Sequence, residues 1–334
     1  MKTGMKALLT GIGIGIGAVG LKTVQRKLVD VMTGLAMERK LPPKISKGQT
    51  KASGSEEHSE KMEEVKALAL RLEEQASETV TITADDGIHL VGHIYNAKSP
   101  KRIILAMHGW RSAWNRDFCG IASFWHENDC SVLYAEQRGQ NASGGDYMGF
   151  GPLERFDCFK WVQYINERTN GTLPIYLAGV SMGATTVLMA ADFPFPPSVK
   201  GIMADCGFTS PKDIWRYVAE NNLHVPYGFV AAKVDKAYQR ITNKESCYSC
   251  EDALREANVP VLFVHGTADK FVPVTMTYRN YMACTSPKEL LIVPGAEHGL
   301  SYWVEKDKYE TLVKSFWKKY DGKPKKKTEA SKKQ

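Results

Sequence analysis

The feature that most constrains this chain is the pentapeptide Gly179-Val180-Ser181-Met182-Gly183. An apolar run at 173–178 predicts a short buried strand before it, and an uncharged run at 184–191 predicts a helix after it. A Gly-x-Ser-x-Gly sequence on a strand-to-helix turn is typical of a nucleophile elbow, whose strained backbone holds the serine hydroxyl clear of the main chain. Side chains at 179 and 183 would collide with the adjoining strand and helix, so glycine is required there. We interpret Ser181 as a candidate nucleophile; the alternative is an ordinary serine in a glycine-lined turn.

Strand and helix patterns alternate along residues 79–320, which we interpret as one domain. Runs at 80–83 and 89–95 flank the turn signal Asp85-Asp86-Gly87 and predict a hairpin. Further strands are predicted at 102–107, 131–136, 199–205, 259–265 and 290–293, and helices at 117–127, 152–168, 273–283 and 303–319. This alternation predicts an α/β fold with a mostly parallel sheet and helices on both faces.

The interval 207–258 is too long for a loop between two strands. It opens with Ser210-Pro211, which predicts a helix with Ser210 as its N-cap and Pro211 in its first position. Aromatic residues follow at 215, 217, 227, 229 and 238. We interpret the interval as a small helical lid over a pocket; the alternative is that the aromatic residues only attach the insertion to the domain.

Residues 1–48 form an apolar and basic N-terminal segment. Its uncharged stretch at 7–21 is shorter than the roughly 20 residues that span a bilayer as a helix. We interpret it as a membrane anchor of undecided orientation; a cleaved signal peptide and a flap packed on the domain are the alternatives. The protein is then membrane-associated, with a cytoplasmic location as the alternative. Residues 49–78 are expected to be a linker and a short helix at 62–75, and 321–334 a disordered Lys-rich tail.

Charge is distributed unevenly along the chain. Residues 1–48 carry nine Lys and Arg against two Asp and Glu, and residues 318–334 carry eight Lys against two acids. Because the net charge is +7, the body between these ends is net negative. Basic ends favour contact with anionic surfaces, and an acidic body argues against nucleic-acid binding.

Seven cysteines, an odd number and mostly single, predict free buried thiols rather than a disulfide framework. Cys247 and Cys250 form one Cys-x-x-Cys pair, but a zinc site needs four ligands and no second pair lies at a suitable spacing. We interpret the pair as chance and expect no metal site.

Two further residues complete a candidate catalytic set with Ser181. A serine hydroxyl needs an adjacent base, and the base needs an orienting acid. Asp269 follows the predicted strand 259–265, and His298 follows the last predicted strand, so the chain order is Ser, Asp, His. Asp205, which also ends a strand, is the alternative acid.

A negative tetrahedral intermediate requires backbone N–H donors near the serine. The predicted donors are the amides of Met182, next to the nucleophile, and of Trp110, after the strand that ends at His108-Gly109. Trp110 also has a simple packing role as an alternative. His108 and His265 precede glycines at strand ends and are interpreted as structural residues that bind turn backbone.

The motifs His108-Gly109-Trp110, Gly179-x-Ser181-x-Gly183, His265-Gly266-x-x-Asp269 and Glu297-His298-Gly299 together resemble the α/β-hydrolase superfamily, in particular its bacterial serine aminopeptidase and lysophospholipase-like branch. The resemblance covers about residues 79–320. It implies an eight-stranded, mostly parallel sheet, a lid after the sixth strand, and acyl-ester hydrolysis without a cofactor. The sequence departs from the pattern at 136–140, Glu-Gln-Arg-Gly-Gln, where many relatives carry an Asp-x-Arg-Gly-His-Gly type of loop.

The sequence therefore predicts a serine hydrolase that acts on small carboxylic (acyl) esters. Ser181 is the nucleophile, His298 the base and Asp269 the acid, while the amides of Trp110 and Met182 hold the oxyanion. A peptidase or a thioesterase with the same three residues is the alternative within this chemistry. A non-catalytic, membrane-tethered binding protein is the alternative outside it.

Overall fold

The computed structural model describes residues 18–40, 56–76, 78–243 and 248–322. Several predictions therefore lie outside the described residues: the anchor stretch before residue 18, the linker up to residue 55, Cys247 and the tail from 323 onward. Among the residues that the structure describes, no helix combines the length and the apolar character needed to cross a membrane.

An eight-stranded sheet forms the centre of the molecule. Its strands, in chain order, are β1 (Glu78–Thr83), β2 (His89–Tyr95), β3 (Arg102–Met107), β4 (Cys130–Ala135), β5 (Ile175–Val180), β6 (Val199–Asp205), β7 (Val261–Gly266) and β8 (Lys288–Val293). They are arranged in the order β1-β2-β4-β3-β5-β6-β7-β8. Strand β2 runs antiparallel to β1 and β4, and the other neighbours are parallel. The mostly parallel eight-stranded sheet is confirmed.

The helices in the described ranges are, in chain order, α1 (Ala18–Met37), α2 (Glu56–Gln75), α3 (Trp114–Glu127), α4 (Glu154–Arg168), α5 (Met182–Met189), α6 (Pro211–Tyr217), α7 (Ala231–Thr242), α8 (Cys250–Arg255), α9 (Val274–Ala283), α10 (Ser301–Val304) and α11 (Lys306–Tyr320). Helix α2 begins at Glu56, inside the stretch that was expected to be linker. The helix predicted at 303–319 is divided into α10 and α11, because Glu305 between them has a non-helical backbone (φ −131°, ψ 53°).

Both faces of the sheet are covered, because neighbouring residues of a strand point to opposite sides. Leu105 of β3 belongs to a buried cluster with Leu188 of α5. The next residue, Ala106, belongs to a second cluster with Phe118 of α3 and Phe316 of α11. Each large apolar side chain buried in this way stabilises the fold by roughly 1.5–3 kcal/mol. Strands β3, β4 and β7 are buried along their whole length, as expected for central parallel strands.

The interval that was expected to be a lid contains two kinds of structure. Residues 211–242 form α6, a π-helical turn (Val218–Asn222), a 3₁₀ turn (Tyr227–Phe229) and α7; we call them the cap segment. Ser210 is the N-cap of α6, since its Oγ accepts a hydrogen bond from the Asp213 amide at 3.1 Å. Helix α8 differs, because its buried Cys250 and Leu254 join the core cluster that contains Leu188. It packs as part of the body.

Helix α1 lies on the cap segment rather than on the sheet. The two share a third apolar cluster, the cap cluster, whose buried members are Val29, Met37, Phe150, Met182, Phe208, Ile214, Trp215, Ala219, Tyr227, Val230, Val234, Tyr238, Val272 and Met276. Val29 and Met37 come from α1, and Met182 directly follows Ser181. The N-terminal helix and the cap segment therefore cover the carboxyl edge of the sheet together.

A partly buried ion pair attaches the end of the last described helix to the middle of the sheet. The Arg102 guanidinium at the start of β3 lies 2.7 Å from the carboxylate of Asp321, which directly follows α11. The Tyr176 hydroxyl of β5 donates to the same carboxylate at 2.9 Å, and the guanidinium also lies 4.3 Å from the ring centre of Trp317. The Arg102 side chain is only 9% exposed, so water solvates its charge poorly. The Asp321 carboxylate compensates for this loss of solvation.

Candidate active site

Ser181 lies in a turn that only glycine neighbours allow. Its backbone is left-handed (φ 56°, ψ −117°), which is a strained conformation for a serine. A Cβ atom at Gly183 would lie 1.9 Å from the Met107 carbonyl oxygen, and one at Gly179 would lie 2.3 Å from the Gly183 carbonyl carbon. Both distances are shorter than any real contact. The glycine requirement that the sequence predicted at these positions is confirmed.

Hydrogen bonds join Ser181, His298 and Asp269. Ser181 Oγ lies 2.9 Å from His298 Nε2, and His298 Nδ1 lies 2.6 Å from Asp269 Oδ2. An ionised carboxylate only accepts hydrogen bonds, so Nδ1 carries the proton that is donated to Asp269. Nε2 then has a free lone pair facing the serine hydroxyl. The imidazole is thus held in the tautomer that accepts a proton from Ser181.

The Asp269 carboxylate is held in its charged form. Burial alone would raise its pKa, but hydrogen bonds from His265 and His298 outweigh burial and hold the pKa of Asp269 well below its usual range. The second carboxylate oxygen of Asp269, Oδ1, accepts hydrogen bonds from the amides of Phe271 and Val272, at 2.9 Å each. His265, which we interpreted as structural, is therefore also a neighbour of the acid, with its Nε2 3.1 Å from Asp269 Oδ2.

Asp205, the alternative acid, has different partners. Its carboxylate accepts from the Ser301 hydroxyl at 3.0 Å, and its backbone carbonyl accepts from the Ser181 amide at 2.9 Å. Burial raises the pKa of Asp205 to about 6. The His298 ring binds Asp269 instead.

The loop at residues 108–112, which we call the 108–112 loop, touches the serine turn. A Cβ atom on Gly109 would lie 3.4 Å from the Ser181 Cβ. Trp110 is the next residue, and Met182 begins α5, where the first amides of a helix have no intrahelical acceptor. Both predicted donors are therefore on segments that adjoin Ser181. The Trp110 side chain also packs at the margin of the cap cluster, which was the alternative for this residue.

Residues 116–323, more than half of the chain, match the model of the prolyl oligopeptidase family. The chain belongs to this family. Together with the fold, the match confirms the α/β-hydrolase superfamily that the motifs predicted.

Sequence relatives of this prolyl oligopeptidase family member include two uncharacterized bacterial proteins. YqkD of Bacillus subtilis is 30% identical over 192 residues, which cover 56% of this chain and 61% of YqkD. The chain therefore matches less than two thirds of that relative's length. YfhR of Escherichia coli K12 is 24% identical over 230 residues, 67% of this chain and 74% of YfhR.

Solved structures share the fold at lower identity. The Pyrococcus furiosus esterase Pf2001 aligns with a TM-score of 0.58 at 18% identity, over 73% of this chain and 90% of that chain. The α/β hydrolase GrgF from Penicillium aligns with a TM-score of 0.59 at 18% identity, over 73% and 98%. A Mycobacterium tuberculosis puromycin-hydrolyzing peptidase aligns with a TM-score of 0.57 at 14% identity, over 74% and 40%.

The atypical loop at 136–140 supports the 108–112 loop of this family member. The Gln137 amide donates to His108 Nε2 at 3.1 Å, and Gln140 Oε1 accepts from the Arg111 amide at 2.6 Å. His108 Nδ1 lies 2.8 Å from the Gly109 carbonyl, so its predicted role in binding turn backbone is confirmed. Gln140, which stands where many relatives carry a histidine, thus contacts the loop that carries Trp110.

Sequence reasoning missed two residues that shape this loop. Asp117 accepts from the Gly109 amide at 2.6 Å and from the Ser112 hydroxyl, and Arg111 binds the end of α1. An acid in the first turn of α3 is a weak signal for Asp117, because acids there are common. No local pattern identifies Arg111, because its partner Leu35 lies 76 residues away in the chain.

One group of potential metal ligands occurs within the described ranges. Ligand atoms of Cys206, Asp269 and His298 lie within 4.8 Å of one another. Two of these residues already bind each other at 2.6 Å. A metal ion bound there would compete for the atoms that orient the histidine.

Proposed function

We propose that this protein is a serine hydrolase that cleaves carboxylic esters through an acyl-enzyme on Ser181. The observation that supports the proposal most strongly is the chain of hydrogen bonds from Ser181 through His298 to Asp269, with distances of 2.9 and 2.6 Å. These distances fall within the reach that proton transfer requires.

In the first step, Ser181 Oγ attacks the acyl carbonyl carbon while its proton moves to His298 Nε2. The imidazolium that forms is stabilised by the Asp269 carboxylate, whose lowered pKa keeps it charged. The carbonyl oxygen becomes an oxyanion, which the amides of Trp110 and Met182 hold by hydrogen bonds.

In the second step, the intermediate collapses and the bond to the alcohol oxygen breaks. His298 returns its proton to that oxygen, so the alcohol leaves neutral. Water then attacks the acyl-enzyme and gives a proton to His298, which again acts as the base. His298 returns this proton to Ser181 Oγ as the carboxylic acid departs, so the free enzyme is restored.

Apolar and aromatic groups near the catalytic set favour an acyl substrate. The Phe271 ring lies 5.2 Å from the His298 ring and 6.2 Å from Trp110, and Trp110 lies 6.2 Å from Phe150. Met182 is buried in the cap cluster with Phe150. Contact with such apolar side chains stabilises a bound substrate by about 25 cal/mol for each Å² of its apolar surface that is removed from water.

A peptidase is the second candidate, and the observation that favours it is the match to the prolyl oligopeptidase family. The three catalytic residues would act in the same roles, with an amine leaving in place of an alcohol. Turnover of a panel of p-nitrophenyl esters against a panel of peptide p-nitroanilides distinguishes the two. Faster turnover of the anilides would contradict the ester proposal.

The decisive variant is Ser181→Ala. We expect it to lose at least about 10³-fold in kcat for p-nitrophenyl butyrate, since the nucleophile is removed. We also expect fluorophosphonate labelling, which maps to Ser181 in the wild type, to disappear. Ser198→Ala is the matched control. It removes the hydroxyl of a serine that lies just before β6 and donates to Asn166, which is not one of the proposed catalytic residues. Equal activity of Ser181→Ala and wild type, or no label on Ser181, would contradict the proposal.

A further inference from the structure

The end of α1 is bound by the loop that adjoins the nucleophile. A helix leaves its last four carbonyls without intrahelical partners. In α1 the Leu35 carbonyl accepts from two nitrogens of the Arg111 guanidinium, at 3.1 and 3.0 Å. The Ala36 carbonyl accepts from the Trp110 indole at 2.7 Å, and Arg111 also donates to the Glu38 carbonyl.

Partners outside the 108–112 loop satisfy the remaining two carbonyls. The Gly34 carbonyl accepts from the Glu38 amide at 3.1 Å, and the Met37 carbonyl accepts from the Met148 amide at 2.8 Å. Helix α1 has no basic residue in its own last turn. Arg111 therefore supplies the positive charge that a helix C-terminus favours.

The loop in turn depends on α1 for these acceptors. Arg111 is only partly exposed, and its guanidinium needs acceptors wherever water is excluded. Its backbone is left-handed, with φ 49°, so the loop has a strained turn directly after Trp110. On the side of the domain body, Asp117 accepts a hydrogen bond from the Gly109 amide, and Gln140 accepts one from the Arg111 amide. The side chains of Trp110 and Arg111 are held from the other side, by α1.

Apolar packing fixes α1 in this place. Val29 is 4% exposed and Met37 is fully buried, and both belong to the cap cluster that includes Met182. Arg39, just after α1, donates its amide to the Asp146 carbonyl at 2.8 Å and its guanidinium to the Ser143 carbonyl at 2.6 Å. The helix is thus packed at its middle and bound at its end.

We propose that α1 sets the position of the Trp110 amide through Arg111, which acts as a positioning residue for the reaction at Ser181. This inference rests on the proposed acyl transfer. When α1 is docked, its carbonyls hold both side chains of the Trp110-Arg111 pair, so the Trp110 amide points steadily at the oxyanion. When these bonds are lost, the loop gains freedom and the oxyanion loses one of its two donors.

The first test is Arg111→Gln in the full chain. Loss of one oxyanion donor costs about 10²–10³-fold in kcat, so partial misplacement should cost about 10–100-fold. We expect KM for p-nitrophenyl butyrate to change little. Affinity for a trifluoromethyl ketone, which forms a tetrahedral adduct with Ser181, should fall by the same factor as kcat/KM. Arg111→Lys should give an intermediate loss, since one ammonium cannot reproduce the forked contacts.

The matched control is Arg26→Gln, which removes an exposed arginine of the same helix that pairs only loosely with Asp30, at 4.0 Å. It should leave kcat and ketone affinity unchanged. A lower Tm for Arg111→Gln with unchanged kcat and unchanged ketone affinity would assign a merely structural role and overturn the proposal.

Trp110→Phe gives a second measurement if Arg111→Gln does not fold. It removes the indole N–H that binds Ala36 and keeps a ring against Phe150 and Phe271. Unchanged kcat and ketone affinity in this variant would overturn the proposal as well. A wild-type protein that is not labelled at Ser181 and turns over neither esters nor peptides would instead contradict the proposed function. If only peptides are cleaved, the same variants are compared on the peptide.

Discussion

At the scale of single residues, two buried carboxyl groups beside the histidine have opposite environments. Asp269 accepts hydrogen bonds from two backbone amides and two histidines, which hold its pKa low despite burial. Asp205 accepts from the Ser301 hydroxyl, and burial raises its pKa to about 6. Asp269 therefore has more hydrogen-bond donors than Asp205, and the pKa values of the two carboxyls shift in opposite directions.

Replacement of Asp205 by asparagine should change how stability depends on pH. A pKa raised from 3.8 to about 6 in the folded state means that folding favours the protonated acid. The protonated carboxyl contributes fully to the free energy of unfolding below pH 3.8. This contribution, roughly 3 kcal/mol, is lost as the pH rises through 6. The asparagine side chain cannot ionise but still accepts from Ser301. Urea unfolding from pH 4 to 7 should therefore show Asp205→Asn gaining stability over wild type as the pH rises.

The wild-type protein at each pH is the reference for this measurement, so other titrating groups cancel. A free-energy difference between the two proteins that stays constant from pH 4 to 7 would contradict the raised pKa of Asp205.

The residues of the candidate site could be predicted where a motif and a strand end coincide. Ser181, Asp269 and His298 each follow a strand, and parallel strands bring their carboxyl ends to one edge. Arg111 and Gln140 could not be predicted, because their roles depend on partners that come near only through the packing of α1 and of the 136–140 loop. Such contacts leave no periodicity in the sequence.

At the scale of elements, the turn between β5 and α5 is fixed by its closeness to β3. The register of the two strands places Gly179 opposite Met107, and α5 then passes directly over the end of β3. The Met107 carbonyl lies where a Cβ on Gly183 would be. Strand, turn and helix therefore pack as one unit with a neighbouring strand, which leaves the turn no room to relax.

Gly183→Ala should accordingly prevent normal folding. The added methyl group would lie 1.9 Å from a backbone oxygen in the centre of the sheet, which cannot move aside. We expect a loss above about 4 kcal/mol in the free energy of unfolding, in the range that large core disruption produces. Soluble yield and urea unfolding measure it.

The matched change is Gly228→Ala in the cap segment, where a Cβ would meet no atom within 4 Å. It should leave stability unchanged or raise it by a few tenths of a kcal/mol, through the unfolded chain. Equal unfolding midpoints for the two variants would show that the elbow tolerates a side chain.

The elements of the sheet could be predicted from the sequence better than those of the cap. Continuous apolar runs identify buried parallel strands such as β3 without knowledge of their neighbours. The membership of α8 in the body and of α1 in the cap cluster depends on which surface each short helix finds. That choice is made by packing between distant segments, which composition does not encode.

At the scale of the whole molecule, we propose that the N-terminal segment associates the protein with a membrane. The apolar stretch 7–21 leads into α1, which packs on the cap segment, and both chain ends are basic. Residues 7–17 of the stretch lie outside the described residues. A membrane-held N-terminus would bring the cap cluster, and with it the covered serine, toward lipid.

Carbonate extraction of membranes tests this proposal. The wild-type protein should stay in the pellet, while Ile14→Asp should move to the supernatant, because a charge in the middle of the apolar stretch costs about 2.5–3.5 kcal/mol. The control is Arg26→Lys, on the exposed side of α1, which keeps the basic charge and should stay in the pellet with the wild type. Release of the wild-type protein by carbonate would contradict an anchor.

The ion pair between Arg102 and Asp321 has a consequence for the timing of synthesis. The two residues are 219 positions apart, so at 5–20 residues per second the ribosome supplies Asp321 roughly 10 to 40 seconds after Arg102. Until then, the Arg102 guanidinium at the start of β3 lacks the carboxylate that it pairs with in the folded protein. The ion pair at the start of β3 therefore forms only after α11 has been synthesised, so this end of β3 reaches its final contacts late in synthesis.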